Sequence, residues 1–478
     1  MSRPLILFDL TRLLSASGRS APTGIERVEF AYARWLSGLP REDVRFVITM
    51  PGAVRLIADG AVPAFLDRQA DVWERGAQGF PAAQAIHNVN DFLAGDAAPR
   101  PPHLGHVSVE ERAHRKARRV ASRRSGNSRF SNWAREMASA WAREALSPLL
   151  RQAQLKRPVV YLRASLDRLE RPEPVERLKS AGGVAMICLC HDAIPIDFPE
   201  FVRPTTVMQC ASRYKTVAAH ADGLIATSRY CADRVAPLLG RRTPPMLVSH
   251  IGCDASVPVD PDLPPLLDEP YFLVVSTIEA RKNHALLFNV WRRMAADLGS
   301  AAPKLIVAGK RGWEAQSPIA MLDRATDLSN HVYEAGAVPD GALAVLRRHA
   351  TAVLMPSFVE GFGMPVTEAL CCDTPVIASD IPVFREIVGH AAELIDPLDG
   401  PAWMAAILDY ATPGSRRRAA AVDHARAFRP PGWSDHFAAV RPFLEEVGDR
   451  ARVPTTPRRT VRLASATASP SASARTVF

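Results

Sequence analysis

"AVLMPSFVEGFGMPVTEAL", Ala352 to Leu370, reads as a strand, a glycine turn and a helix. "AVLMPS" is a short continuous apolar run closed by Pro and Ser, the pattern of a strand buried on both faces. Met364-Pro365 opens a helix, because proline suits the first helical turn. The N–H groups of Phe362, Gly363 and Met364 then lie at a positive helix end, which suits a diphosphate. Gly361 and Gly363, without Cβ atoms, let the chain approach a ligand. Glu360 precedes the turn and Glu368 follows it by one helical turn, so two carboxylates flank the anion position. Glu368 is placed for the vicinal hydroxyls of a ribose and Glu360 for a second polyhydroxylated group, as in a sugar nucleotide. The plain alternative stands level with this: Glu368 offsets the helix dipole and Glu360 is a solvated loop acid.

The same strand-and-helix unit recurs along the chain. Apolar runs "LILFDL" (5–10), "RFVITM" (45–50), "VVYL" (159–162), "VAMICLC" (184–190), "GLIATS" (223–228) and "MLVSHIG" (246–252) form a first set. "YFLVVS" (271–276), "KLIVAG" (304–309), "VYEAG" (332–336), "AVLMPS" (352–357), "PVIAS" (375–379) and "AELI" (392–395) form a second. Two such sets predict two doubly wound α/β domains, joined by the proline-rich linker 254–270. The predicted boundaries are 1–255 for the first domain, 256–428 for the second, 429–450 for a terminal helix and 451–478 for a disordered tail. A basic, disordered insertion is expected at about 95–130. Asn283 reads as the N-cap of a helix carrying Leu286, Leu287, Val290, Trp291, Met294 and Leu298 at helical spacing. Trp433, Phe437, Val440, Leu444 and Val447 give the last helix the same spacing.

Of 478 residues, 47% are hydrophobic and 23% charged, the composition of a soluble globular protein. The net charge of +9 is local: 112–129 holds eight Lys/Arg and 451–478 five Arg, neither with an acid. The remainder is slightly acidic. With no interleaved aromatics, this is not a nucleic-acid footprint. The segment 112–129 is read as a solvated insertion or as a patch drawn to an anionic membrane face. No apolar run approaches the ~20 residues of a bilayer span. Seven cysteines without a secretory leader indicate reduced thiols and a cytoplasmic setting. Cys188 and Cys190 should share one strand face and His191 the other, so they read as buried thiols and not as a metal cluster. Asp260-Pro-Asp262 reads as linker, and no metal ligands are assigned.

A second stretch, "VVSTIEARKNHALLF" (274–288), follows the first strand of the second domain and opens at its carboxyl edge, where open sheets bind ligands. Arg281 and Lys282 bring positive charge there. "GFGMPV" imitates a dinucleotide fingerprint, but its third glycine is Val366 and it comes late in its domain. Together, "EGFGMPVTE" (360–368), "STIEARKNH", "TPVIASDIPVFREIVG", "TGIERVEFAYARWL" (23–36), "HDAIPIDFPEF" (191–201) and "ADGLIATSRYCADRV" (221–235) resemble glycosyltransferase family 4, a mannosyltransferase-like group of retaining enzymes. The likeness runs over roughly residues 5 to 445.

That resemblance implies the GT-B fold, two Rossmann-like domains facing across a cleft. It also implies transfer of a hexose, mannose-like, from a nucleoside-diphosphate sugar to a glycan or a lipid-diphosphate-linked acceptor in bacterial surface polysaccharide assembly. No further cofactor or metal is expected. Glu360 would contact the donor sugar, Phe362, Gly363 and Met364 the sugar and diphosphate, and Glu368 the ribose. Arg281 and Lys282 would neutralise the leaving diphosphate. Gly24 would bring first-domain backbone to it, and His191, which by itself reads as a satisfied core or loop histidine, would lie beside the transferred sugar. Thr277 stands in the donor loop where relatives often place an arginine; Ser276 and Ala280 replace the usual glycine and proline. The alternative is a catalytically silent scaffold or regulator of the same fold.

Overall fold

The computed structural model describes residues 3–17, 19, 21–58, 60–75, 81–96, 146–154, 157–253 and 261–452. Most of the expected insertion at 95–130, the basic run 112–129, nearly all of the expected tail and Asp260 lie outside the described residues.

The first sheet contains β1 (Leu5–Asp9), β2 (Val44–Met50), β3 (Ala53–Leu56), β4 (Val159–Arg163), β5 (Val184–Cys190), β6 (Gly223–Ala226) and β7 (Met246–Val248). Its order is β3-β2-β1-β4-β5-β6-β7, parallel except for β3. The second contains β8 (Tyr271–Val275), β9 (Lys304–Ala308), β10 (Val332–Gly336), β11 (Ala352–Met355), β12 (Val376–Ser379) and β13 (Glu393–Ile395). Its order is β10-β9-β8-β11-β12-β13, all parallel. In each sheet the order reverses beside the first strand, which creates a crevice at the carboxyl ends of β1/β4 and of β8/β11.

The apolar runs become strands because covering helices bury both faces. Leu5, Leu7, Tyr161, Met186, Cys188 and Cys190 pack on one side of the first sheet. Ile6, Phe8, Val160, Leu162, Ile187 and Leu189 face the other side. Cys188 and Cys190 are thus buried apolar thiols on one face, as their spacing predicts, and no metal-ligating cluster occurs among the described residues. At the end of β1, buried Asp9 accepts from Arg163 Nη1 (2.8 Å), Thr49 Oγ1 (2.5 Å), Tyr161 Oη (2.5 Å) and Thr11 N (2.8 Å). Burial alone would raise the Asp9 carboxyl, and Arg163 with these donors holds it below its ordinary value. This cluster anchors the loop that leads to Gly24.

The helix Trp433–Arg452 lies against the first sheet: a Cβ built at Gly223 would stand 3.0 Å from Val447, and one at Gly448 3.1 Å from Val160. Tyr32 Oη meets His436 Nε2 at 2.8 Å, and Ser249 Oγ meets Nδ1 at 2.9 Å. The linker is tied to the first domain by Asn90, which donates to Pro265 O (2.9 Å) and accepts from Leu267 N (3.0 Å). No helix among the described residues is long and apolar enough to cross a membrane.

Three local expectations are corrected. "MLVSHIG" is a strand only over Met246–Val248, because Ser249 and His250 turn their side chains to His436 and Glu386. Asn283 precedes the helix His284–Leu298 but does not cap it; its backbone is left-handed (φ 54) and its amide donates to Pro397 O at 2.9 Å. Leu298 closes that helix 42% exposed and outside the core.

Candidate functional site

The second-domain half of the site forms where β8 and β11 end side by side. After β8 the chain makes a 3₁₀ turn, Ala280–Lys282, and the carbonyl of Arg281 accepts from Phe358 N at 2.8 Å, joining the two strand-end loops. Glu360 is shared between cations: Oε2 receives Arg281 Nη1 at 2.7 Å and Oε1 receives Lys282 Nζ at 2.5 Å. Arg281 also pairs with Glu279 at 2.7 Å. Lys282 and Glu360 are buried, and Arg281 is one-fifth exposed at its side chain.

Burial would raise the Glu360 carboxyl, but Arg281 and Lys282 reverse this and bring it to about 2. Lys282 is pushed down, first by burial and then by Arg281. The Glu360 carboxylate stays ionised because two cationic donors converge on it. With both oxygens occupied and its basicity low, Glu360 is a poor nucleophile and a poor base. It can hold cations, or exchange them for hydroxyls.

Glu368 lies in the helix Met364–Leu370 and pairs with Arg347 at 2.7 Å. Burial raises its carboxyl, while Arg347 and Arg27 carry it below its ordinary value. Arg27 belongs to the first domain, where it pairs with Asp340 across the seam through 2.7 and 2.5 Å contacts, so Glu368 faces the seam.

The first domain supplies the opposite wall. Gly24 is the first residue of the helix Gly24–Ser37 and not a loop residue; Thr23 and Glu26 form a capping box there. A Cβ at Gly24 would stand 3.4 Å from Met364 Sδ, so two positive helix ends meet across the seam. The Met364 helix has only seven residues against fourteen for its counterpart, so the first domain carries the stronger of these dipoles. His191 directly follows β5; its Nε2 lies 2.7 Å from Ala164 O. That contact assigns the ring proton to Nε2 and leaves Nδ1 as the acceptor. Burial lowers the ring to about 4, so His191 is neutral at pH 7.

The glycines of the turn do different work from that expected. A Cβ at Gly361 would stand 2.2 Å from His191 O and 3.0 Å from Asp192 Cβ, so its bareness admits the first domain. Gly363 needs its left-handed backbone (φ 91), and a Cβ there would strike Phe384 at 2.3 Å. Both make room for protein. The Phe362 ring is buried against His250 at 5.9 Å. Thr277 sits at the end of β8 with its methyl over Gly312, whose added Cβ would lie 2.7 Å away.

Sequence reasoning missed the seam's polar latches. Glu386 accepts from Arg229 N (2.6 Å) and Tyr230 N (2.9 Å), capping a first-domain helix from the second domain, and meets His250 Nε2 at 2.9 Å. Ser228 Oγ caps the same helix and donates to Gly361 O at 3.0 Å. Asp192, beside Gly361, has its carboxyl raised, chiefly by burial. A serine just ahead of the helix Arg229–Val235 carried an N-cap signal that went unread; Glu386 carried no local signal.

This chain is similar to several known proteins. Residues 260–425 match the family described as "Glycosyl transferases group 1". The chain is 30% identical over 235 residues to the serotype-specific mannosyltransferase WbdA of Escherichia coli, covering 46% of this chain and 28% of that one. It is 34% identical over 142 residues to the O-antigen chain mannosyltransferase RfbU of Salmonella typhimurium, covering 29% and 38%. The chain therefore spans well under half the length of these relatives. The solved structure of Anabaena Alr3699/HepE in complex with UDP superposes with a TM-score of 0.51 at 15% identity, over 94% of this chain and 98% of that one. At that identity the likeness concerns the fold alone, and the fold is GT-B.

Proposed function

We propose that this protein, whose residues 260–425 match the family described as "Glycosyl transferases group 1", transfers a mannose-like hexose, with retention and without a metal, from a nucleoside-diphosphate sugar to a glycan or lipid-linked acceptor of surface polysaccharide assembly. The observation that carries the proposal is the junction of Arg281, Lys282 and Glu360 at the β8/β11 crevice, with the His191 carbonyl of the other domain against Gly361. A mannosyl donor agrees with the names of the relatives. The acceptor would be met in the cytoplasm or at the inner membrane face.

The chemistry follows from charge. As the bond from the sugar's anomeric carbon to the diphosphate breaks, negative charge grows on the phosphate oxygens and positive charge on the sugar. Arg281 and Lys282 exchange the Glu360 carboxylate for phosphate oxygens, and the dipole of the helix Gly24–Ser37 adds to them. Glu360, released, accepts hydroxyls of the sugar, and Glu368 takes the ribose. The acceptor oxygen attacks from the face the diphosphate leaves, and its proton passes to a departing phosphate oxygen. No side chain is assigned as nucleophile. Closure along the Arg27–Asp340 and Glu386 latches excludes water that would hydrolyse the donor.

The test is a thermal-shift panel of GDP-, UDP-, ADP- and dTDP-sugars, followed by transfer or hydrolysis assays with the stabilising donor. Activity that disappears in Glu368→Ala supports the reading. A wild-type protein that neither binds nor turns over any donor is the silent scaffold instead.

A further inference from the structure

The polypeptide crosses between the domains twice, and the two crossings touch. Cys253, leaving the first domain, donates its N–H to Pro431 O at 3.1 Å, where the chain returns. A Cβ added to Gly252 would stand 2.4 Å from Trp433 N, so the crossing is tightly packed. A third segment meets this point. Cys371 ends the helix Met364–Leu370, which starts at the glycine turn and carries Glu368, and its Sγ lies 2.7 Å from Cys253 Sγ. The two thiols are 118 residues apart in sequence and both partly exposed. Cys188, Cys190, Cys210 and Cys231 are instead buried within the first domain.

We propose that Cys253 and Cys371 are a modification site, an oxidisable dithiol whose disulfide staples the two domains where the chain crosses between them. From 2.7 Å the sulfurs need to move less than about 1 Å to reach the ~2.05 Å of a disulfide. The oxidant is a low-molecular-weight disulfide. One protein thiolate attacks it, breaks its S–S bond and releases one small thiol after proton uptake. The second protein thiol gives up its proton, attacks the mixed disulfide at the protein sulfur and releases the second small thiol. The protein loses two hydrogens and the reagent is reduced to two thiols.

The hydrogen bond to Cys371, burial, and the charges of Cys371 and Glu368 hold the Cys253 thiol far above its ordinary range. The exchange therefore accelerates about tenfold per pH unit through the neutral range. The bond itself does not depend on the proposed activity. Its consequence does: a stapled crossing hinders the opening that donor exchange requires.

The test treats the full chain with glutathione disulfide at about pH 8.5, near the ordinary thiol range, followed by intact mass, thiol titration after denaturation and peptide mapping. The expected result is loss of two hydrogens, two fewer of the seven thiols, and a Cys253–Cys371 linked peptide reversed by dithiothreitol. Cys253→Ser and Cys371→Ser each abolish the linked peptide, and Cys372→Ser keeps it. A Cys371–Cys372 link, a lasting mixed disulfide on either thiol, or no linkage in the wild-type protein overturns the proposal. Because these readouts are chemical, they decide the matter equally well in a protein without transferase activity.

Discussion

Replacing Gly361 by alanine isolates domain closure from domain folding. The Gly361 backbone is outside the left-handed region, so alanine fits its own conformation and neither domain is strained from within. The added methyl instead meets His191 O at 2.2 Å. A carbon–oxygen contact ordinarily stops at ~3.3 Å, so the walls must part by about 1 Å at the site. A displacement of that size costs on the order of 10²-fold in rate, or about 2.7 kcal/mol of transition-state stabilisation. The assay is kcat/KM for donor turnover, alongside thermal unfolding followed by circular dichroism. The expected variant melts close to wild type and turns over about a hundredfold slower. A variant that keeps most of its kcat/KM refutes the claim that Gly361 is bare in order to seat the His191 carbonyl. Gly363→Ala is the contrasting control: its φ of 91 and its contact with Phe384 make that change destabilise the second domain itself.

Glu386→Ala removes the cross-domain cap from Arg229 and Tyr230 and should lower unfolding stability by about 1 kcal/mol; urea titration checks this, and an unchanged midpoint contradicts it. Stability should also fall in acid in two stages. Glu360, depressed from 4.5 to about 2, contributes roughly 3 kcal/mol that is present above pH ~4.5 and lost as pH falls toward ~2. His191, lowered from 6.5 to about 4, is neutral when folded, so its contribution is lost earlier, as pH falls from ~6.5 toward ~4. Burial lowers His284 and His436 in the same direction, so a His191→Gln variant should shrink the upper stage without abolishing it and leave the lower one in place; urea midpoints across pH that coincide with wild type would contradict this.

The strands were legible because each is an unbroken apolar run, and β1, β5 and β11 are indeed buried along their whole length. The strand missed was β3, where Val54-Arg55-Leu56 alternates on an edge and pairs antiparallel through the Pro51-Gly52 turn. The carboxylates and cations of the site were legible as residue types at strand ends. Their mutual pairing was not, since Lys282 and Glu360 are 78 residues apart and only the β8/β11 neighbourhood joins them. The turn glycines were recognised, but their protein neighbours, the His191 carbonyl and the Phe384 ring, were not, because a missing Cβ says that something approaches without saying what. Glu386 shows the same limit: its carboxylate caps a helix 156 residues away, beyond any local pattern.

The most direct measurement is calorimetric titration of GDP, UDP, ADP and dTDP into the wild-type protein and into Lys282→Met. The account predicts that at least one diphosphate binds saturably to the wild type, and that the variant stays folded yet binds it about tenfold or more weakly, a loss of at least ~1.4 kcal/mol. Equal affinity in a folded variant, or no binding by any of the four, would contradict the claim that this strand-end cluster grips a nucleoside diphosphate.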